Sequence, residues 1–168
     1  EAAGIKMITV HGRTRCQFYN GAANWSAISK VKAAVSIPVI VNGDIVDVAS
    51  ARLALEQSGA DGIMVGRGVQ GAPWRLAEIS SKLYGTPEPI IPRGNPLGEL
   101  IIGHHQAILD FYGKVLGVKN ARKHLGWYLD GLQVTPELRQ SLLRSVNLSE
   151  IHQLIWRAVQ QGRTQVAA

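Results

Sequence analysis

Three short apolar runs in this 168-residue chain each stop at a cluster of polar residues and glycines. Met7-Ile8-Thr9-Val10 gives way to His11-Gly12-Arg13-Thr14. Pro38-Val39-Ile40-Val41 gives way to Asn42-Gly43-Asp44, and Ile63-Met64-Val65 to Gly66-Arg67-Gly68. Glycine lets backbone approach a ligand closely, and its neighbours supply donors and acceptors. Arg67, set between glycines, suits a bidentate grip on phosphate with backbone N–H groups beside it. His11 offers an imidazole and Arg13 a guanidinium, groups that meet an anionic cofactor or hold a pyrimidine carbonyl. Each cluster alone has an ordinary explanation: Asp44 competes with Asp47 as a helix cap, and a single histidine is commonly structural. Their recurrence at successive strand ends favours a binding site.

The elements that must position these groups follow from the hydrophobic pattern. Runs rich in β-branched residues suit strands buried on both faces, the habit of parallel sheets. Polar groups past the C-terminal ends of such strands are where α/β barrels keep their active sites. Strands are predicted near 5–10, 37–41 and 62–66. Between them the pattern predicts a helix over Trp25–Ala34 and a second over Val48–Gln57, capped by Asp47 and stopped by Gly59. A third opens at Pro73 and carries Trp74, Leu76, Ile79 and Leu83. Residues 1–84 therefore read as an α/β unit. Four prolines between Gly85 and Pro96 mark a linker over 85–96. Residues 97–168 show helical periodicity only. One helix ends at Gly113, a second runs to Leu132, Thr135-Pro136 opens a third and Ser149 caps a fourth, a small helical bundle.

Composition narrows the function classes. No apolar stretch approaches the ~20 residues of a membrane span, and no signal peptide is visible. The single cysteine, Cys16, rules out an internal disulfide framework and a cysteine-rich zinc site. A cytoplasmic protein with no metal and no membrane partner is expected. The net charge of +6 and a pI near 9.8 favour a polyanionic partner. Lys114, Lys119, Arg122, Lys123 and His124 form the densest basic cluster, with Trp127 and Tyr128 either stacking on unpaired bases or buried in the core. A complete (β/α)8 barrel needs about 250 residues. The chain begins at Glu1, so the C-terminal part of a larger protein is expected.

Four blocks in order carry a specific resemblance: HGRTRCQFYNGAANW (His11 to Trp25), IPVIVNGDI (Ile37 to Ile45), GADGIMVGRGVQGAPW (Gly59 to Trp74) and ARKHLGWYL (Ala121 to Leu129). Over nearly its whole length the chain resembles the tRNA-dihydrouridine synthases, most closely the bacterial DusB type. The resemblance implies the last strands and helices of a TIM (β/α)8 flavin-binding barrel, followed by a helical tRNA-binding domain. It implies FMN as cofactor, NADPH as reductant, and reduction of the C5–C6 bond of uridines in tRNA. By the same resemblance His11 lies against FMN, Arg13 lies near the uracil, and Asn42, Gly43, Asp44, Gly66 and Arg67 bind the ribityl-phosphate end. Lys119, Arg122 and Lys123 are then the tRNA contacts of the tail.

The family's proton-donating cysteine belongs to the N-terminal half of the barrel, and Cys16 matches no catalytic position. No catalytic residue is therefore expected among residues 1–168, and the chain by itself is expected to be inactive. The resemblance implies a monomer for the full-length enzyme. A second reading stays open from the residues alone: a phosphate-binding barrel enzyme acting on a small metabolite, with the helical tail serving oligomerisation.

Overall fold

The computed structural model describes residues 1–166. The chain divides into two compact units, the first Glu1–Pro89 and the second from Ile90 onward.

In the first unit, β1 (Ile8–His11), β2 (Val39–Asn42) and β3 (Gly62–Met64) form a parallel sheet in the order β1-β2-β3. The strands are shorter than the predicted ranges 5–10, 37–41 and 62–66. Ile5 and Met7 precede β1 and remain exposed. The central strand is the most buried, with Val39 and Val41 fully covered. The register sets His11 beside Asn42, and Asn42 beside Met64. The three strands thus end level, and the segments 12–14, 43–45 and 65–68 leave the same edge side by side.

The connections bury one apolar stripe each. The first holds a 3₁₀ turn, Ser26–Ile28, running into α1 (Ser29–Ala34), so the helix predicted from Trp25 is split. The second holds α2 (Val48–Ser58). Its first turn is closed by a capping box between Asp47 and Ser50, and Gly59 ends it in the left-handed conformation. After β3 a 3₁₀ turn, Arg67–Val69, leads to α3 (Arg75–Tyr84). Ile28, Val39, Val41, Ile45, Ala51, Ala54 and Ile79 make the core.

The second unit is helical. The first two predicted helices form one run, α4 (Asn95–Leu132), broken at Gly113, whose φ of 73° leaves the helical region. Pro96 lies inside the first turn of α4, where a missing N–H costs nothing. The irregular stretch accordingly stops at Gly94 rather than Pro96. Next come α5 (Pro136–Arg144) and α6 (Leu148–Val166). Thr135 caps α5 through Oγ1. The cap of α6 is Asn147, whose Oδ1 accepts the Glu150 N–H at 3.2 Å, and not the predicted Ser149, which lies one residue inside the helix. Ile101, Ile108, Leu125 and Leu129 of α4, Leu142 of α5, and Ile151, Ile155 and Val159 of α6 form the interior. Among the described residues, no helix is long and apolar enough to cross a membrane.

Candidate functional site

The level strand ends of the first unit surround a cavity of about 480 Å³, lined by His11, Tyr19, residues 42–46, residues 66–68 and Gln70. All six residues expected at a cofactor site, His11, Asn42, Gly43, Asp44, Gly66 and Arg67, line it. Sheet register brings them together, since the segments that carry them are far apart in sequence.

His11 is the last residue of β1. Its Nδ1 accepts the backbone N–H of Arg13 at 3.0 Å, which leaves Nε2 to carry the hydrogen of the neutral ring. Asn42 spends its amide N–H₂ on the Met64 carbonyl at 2.7 Å, tying β2 to β3 beyond the last ladder bonds. The carbonyl of Gly43 accepts the Trp25 indole N–H at 2.8 Å. Gly43 has a φ of 111°, and a Cβ there would stand 2.9 Å from His11 Cε1 and 3.0 Å from Ala23 Cβ. Only glycine fits against the imidazole in this conformation. At Gly66 the situation is reversed: a Cβ would meet nothing within 4 Å.

Asp44 is a junction. Arg13 donates to both its oxygens, Nη1 to Oδ1 at 2.7 Å and Nη2 to Oδ2 at 2.6 Å. The Ala23 N–H also donates to Oδ2, at 2.8 Å. Partial burial works against ionisation of Asp44. The Arg13 hydrogen bonds, the Ala23 N–H and the charges of Arg13 and Arg67 outweigh it and hold the carboxyl below the usual range. Arg13 meanwhile donates through Nε and Nη2 to the carbonyl of Gly21, and its side chain is only 5% exposed. Arg13, expected near the uracil, is largely engaged within the protein. Four of its five N–H groups are committed to holding the loop 14–24 against Asp44.

Arg67 is the available cation. Its side chain is 54% exposed, and Nη2 stands 3.7 Å from Asp44 Oδ1, beyond hydrogen-bond reach. Its guanidinium carbon lies 4.5 Å from the centroid of the Tyr19 ring, a cation–π contact that fixes the head group over the cavity. Behind it, Gly68 packs so tightly on the Ile45 carbonyl that a Cβ would come within 2.2 Å, and its own carbonyl accepts a hydrogen bond from Arg75. Tyr19 and Gln70 received no role from sequence reasoning. Tyr19 lies in an irregular loop, and only the fold of that loop brings it onto Arg67.

The basic cluster of the second unit lies along α4 after its break. Lys119 and Lys123 are exposed and Arg122 is half-buried. None of the three forms an ion pair with a described residue. The aromatic pair beside them divides. Tyr128 is buried and its hydroxyl lies 3.0 Å from His104 Nδ1, so it belongs to the core. Trp127 stays half-buried with its ring edge-on to His124 at 4.9 Å. Cys16 is exposed, and no group of described residues has the make-up of a metal site.

A family model described as dihydrouridine synthase matches residues 1–162. A probable tRNA-dihydrouridine synthase of Rhodobacter capsulatus is 56% identical over 147 residues, 88% of this chain and 45% of the relative. One from Rickettsia typhi is 54% identical over 138 residues, 82% of this chain and 42% of the relative. The tRNA-dihydrouridine synthase B of Vibrio vulnificus is 44% identical over 142 residues, 84% of this chain and 44% of the relative. The chain thus spans under half the length of these relatives. The match runs through both units, from the strand-end cavity to the basic helix, and on it the chain belongs to the dihydrouridine synthase family.

Proposed function

We propose that this chain supplies part of the FMN site and the tRNA-docking tail of a tRNA-dihydrouridine synthase that uses NADPH as reductant in the cytoplasm. The observation that carries the reading is the cavity at the level strand ends, with Arg67 exposed at its wall and no side-chain hydrogen bond holding its guanidinium to Asp44, 3.7 Å away. In this reading the sheet is the closing portion of a TIM barrel, and such barrels place phosphate sites at this edge.

The donor set suits a flavin phosphate. Arg67 supplies a charge-assisted, two-pronged donor, and Gly66 leaves open the space that a side chain would fill. Asn42 and Gly43 border the same space, with His11 at its floor offering an Nε2–H. When bound, FMN supplies a hydride to C6 of a uracil ring. The work of this chain is to hold and orient. Arg67 grips the phosphate, Tyr19 keeps Arg67 in place, and Asp44 acts through Arg13 to fix the loop beside the cavity. Arg13 is thus a positioning residue that holds the loop beside the cavity. The proton for C5 comes from outside these residues. In the second unit Lys119, Arg122 and Lys123 contact tRNA phosphates.

A chimera tests the assignment. Residues 1–162 replace the matching segment of the Rhodobacter capsulatus relative, and dihydrouridine is quantified in tRNA from a strain lacking the modification. The expected result is restored dihydrouridine. A soluble, folded chimera that forms none contradicts the proposal.

A further inference from the structure

Two histidines interrupt the aliphatic contact between α4 and α6. His105 stands between Ile101 and Ile108 on the buried stripe of α4 and is 2% exposed. His152 follows Ile151 on α6 and is half-buried, its ring edge-on to that of His105 with the centroids 5.6 Å apart. Both ring nitrogens of His105, and Nε2 of His152, are buried with no hydrogen-bond partner among the described residues. A neutral imidazole carries one donor and one acceptor, so the pair leaves polar groups unmet inside a contact that is otherwise apolar.

A positive charge there would meet no counter-charge. The ionisable groups that act on His105 are His152 of α6 and His104 of its own helix, both imidazoles. His104 is engaged elsewhere, with Nδ1 3.0 Å from the Tyr128 hydroxyl. The carboxylates of the three helices all lie on the surface: Glu99, Asp110 and Asp130 of α4, Glu137 of α5 and Glu150 of α6. Asp110 is bonded to Gln106, Asp130 is paired with Arg139 of α5, and Glu150 is bonded to Ser145. Burial first, and then the neighbouring imidazoles, hold His105 below the ordinary histidine range. The neutral, docked contact is therefore complete above about pH 6.5 and weakens as pH falls through the lowered folded value.

We propose that the His105–His152 pair is a proton-operated latch: charging either imidazole releases α6 from α4 while the first unit stays folded. Protons arrive through His152, the half-buried member, and the charge then lies beside His105 with no carboxylate to meet it. Release is local because α6 joins α5 through the short stretch 145–147 and belongs to a compact unit separate from the sheet. Mild acid thus opens one helix before it unfolds the protein, a behaviour that does not depend on the flavin or tRNA assignments.

The test is amide hydrogen exchange of the 168-residue chain at about pH 7.5 and about pH 5, read by mass spectrometry with labelling times scaled to the intrinsic exchange rate at each pH. One imidazole charged about 1.5 pH units below its ordinary value favours the open form by up to about 30-fold. Protection of α6 is therefore expected to fall about tenfold or more at the lower pH, to return when the pH is restored, and to fall far less in α2. His105→Leu is expected to abolish the acid response of α6. His152→Gln, at the half-buried position, is expected to reduce it and serves where the Leu variant fails to fold. His124→Gln, which changes a half-buried histidine of the same unit outside the pair, is expected to leave it intact. Equal protection of α6 at the two pH values overturns the proposal, as does loss of α2 protection in step with α6. A wild-type response in a folded His105→Leu or His152→Gln variant, or loss of the response in His124→Gln, overturns it as well.

Discussion

Arg13 clasps Asp44 with both prongs of its guanidinium, at 2.7 and 2.6 Å, across 31 positions of sequence. The clasp fastens the loop 14–24 to the end of β2, because the same arginine also binds the Gly21 carbonyl. Asp44→Ala strips the guanidinium and the Ala23 N–H of their acceptor. The expected cost is about 1–2 kcal/mol, the lower part of the range for charged hydrogen bonds, since the carboxylate is partly screened by solvent. Urea denaturation measures that loss. Proteolysis after Arg15 is expected to accelerate in the same variant, and an unchanged cleavage rate would separate the loop from Asp44.

The histidines of the second unit give the protein a pH dependence. Burial pulls His104, His105 and His124 below the ordinary histidine range, and neighbouring histidines add to it for His105. His105 is 2% exposed, faces the ring of His152 at 5.6 Å, and has no hydrogen-bond partner among the described residues for either ring nitrogen. The folded state therefore binds protons less readily than the unfolded chain. Stability contributed by these groups is complete above about pH 6.5 and falls as pH drops through the lowered folded values. His105→Leu is expected to flatten the decline between pH 7 and 5, measured by denaturation midpoints. A variant with the wild-type slope would remove His105 from the account. Asp44, held low by Arg13, adds a separate loss at more acidic pH.

Two glycines of the cavity are expected to answer differently to alanine. Gly43→Ala forces a left-handed φ on a Cβ that also meets the His11 ring, at roughly 1–3 kcal/mol. Gly66→Ala meets open space, so its stability loss is expected to be the smaller. Its effect is expected on FMN affinity instead, because the methyl group occupies the cavity. Thermal melts and FMN titrations of both variants check the contrast. Equal stability losses with unchanged FMN affinity would contradict it.

The strand ends and the polar residues that follow them were legible in the sequence because each is a local event, an apolar run meeting glycine and a polar residue. The caps at Asp47 and Thr135 were legible for the same reason. What escaped depends on contacts between distant residues. Nothing near Arg13 announces Asp44 as its partner; sheet register does that. Tyr19 reaches Arg67 only through the fold of its loop. Asn147 and Ser149 carry equally good capping oxygens two residues apart, and packing of Ile151 and Ile155 chooses the start of α6. Tyr128 reads equally as a base-stacking aromatic or a core residue until His104, 24 residues earlier, is seen within hydrogen-bond reach of its hydroxyl.

The central claim is that Arg67 holds the phosphate of FMN at the strand ends, and the affinity of the chimera for FMN tests it most directly. Flavin fluorescence quenching is titrated for the chimera with Arg67 and with Ala at that position. Loss of a charge-assisted contact worth about 1.5–3 kcal/mol predicts roughly ten- to a hundredfold weaker binding in the Arg67→Ala form, with the fold retained. Equal affinity in the two forms would contradict the account.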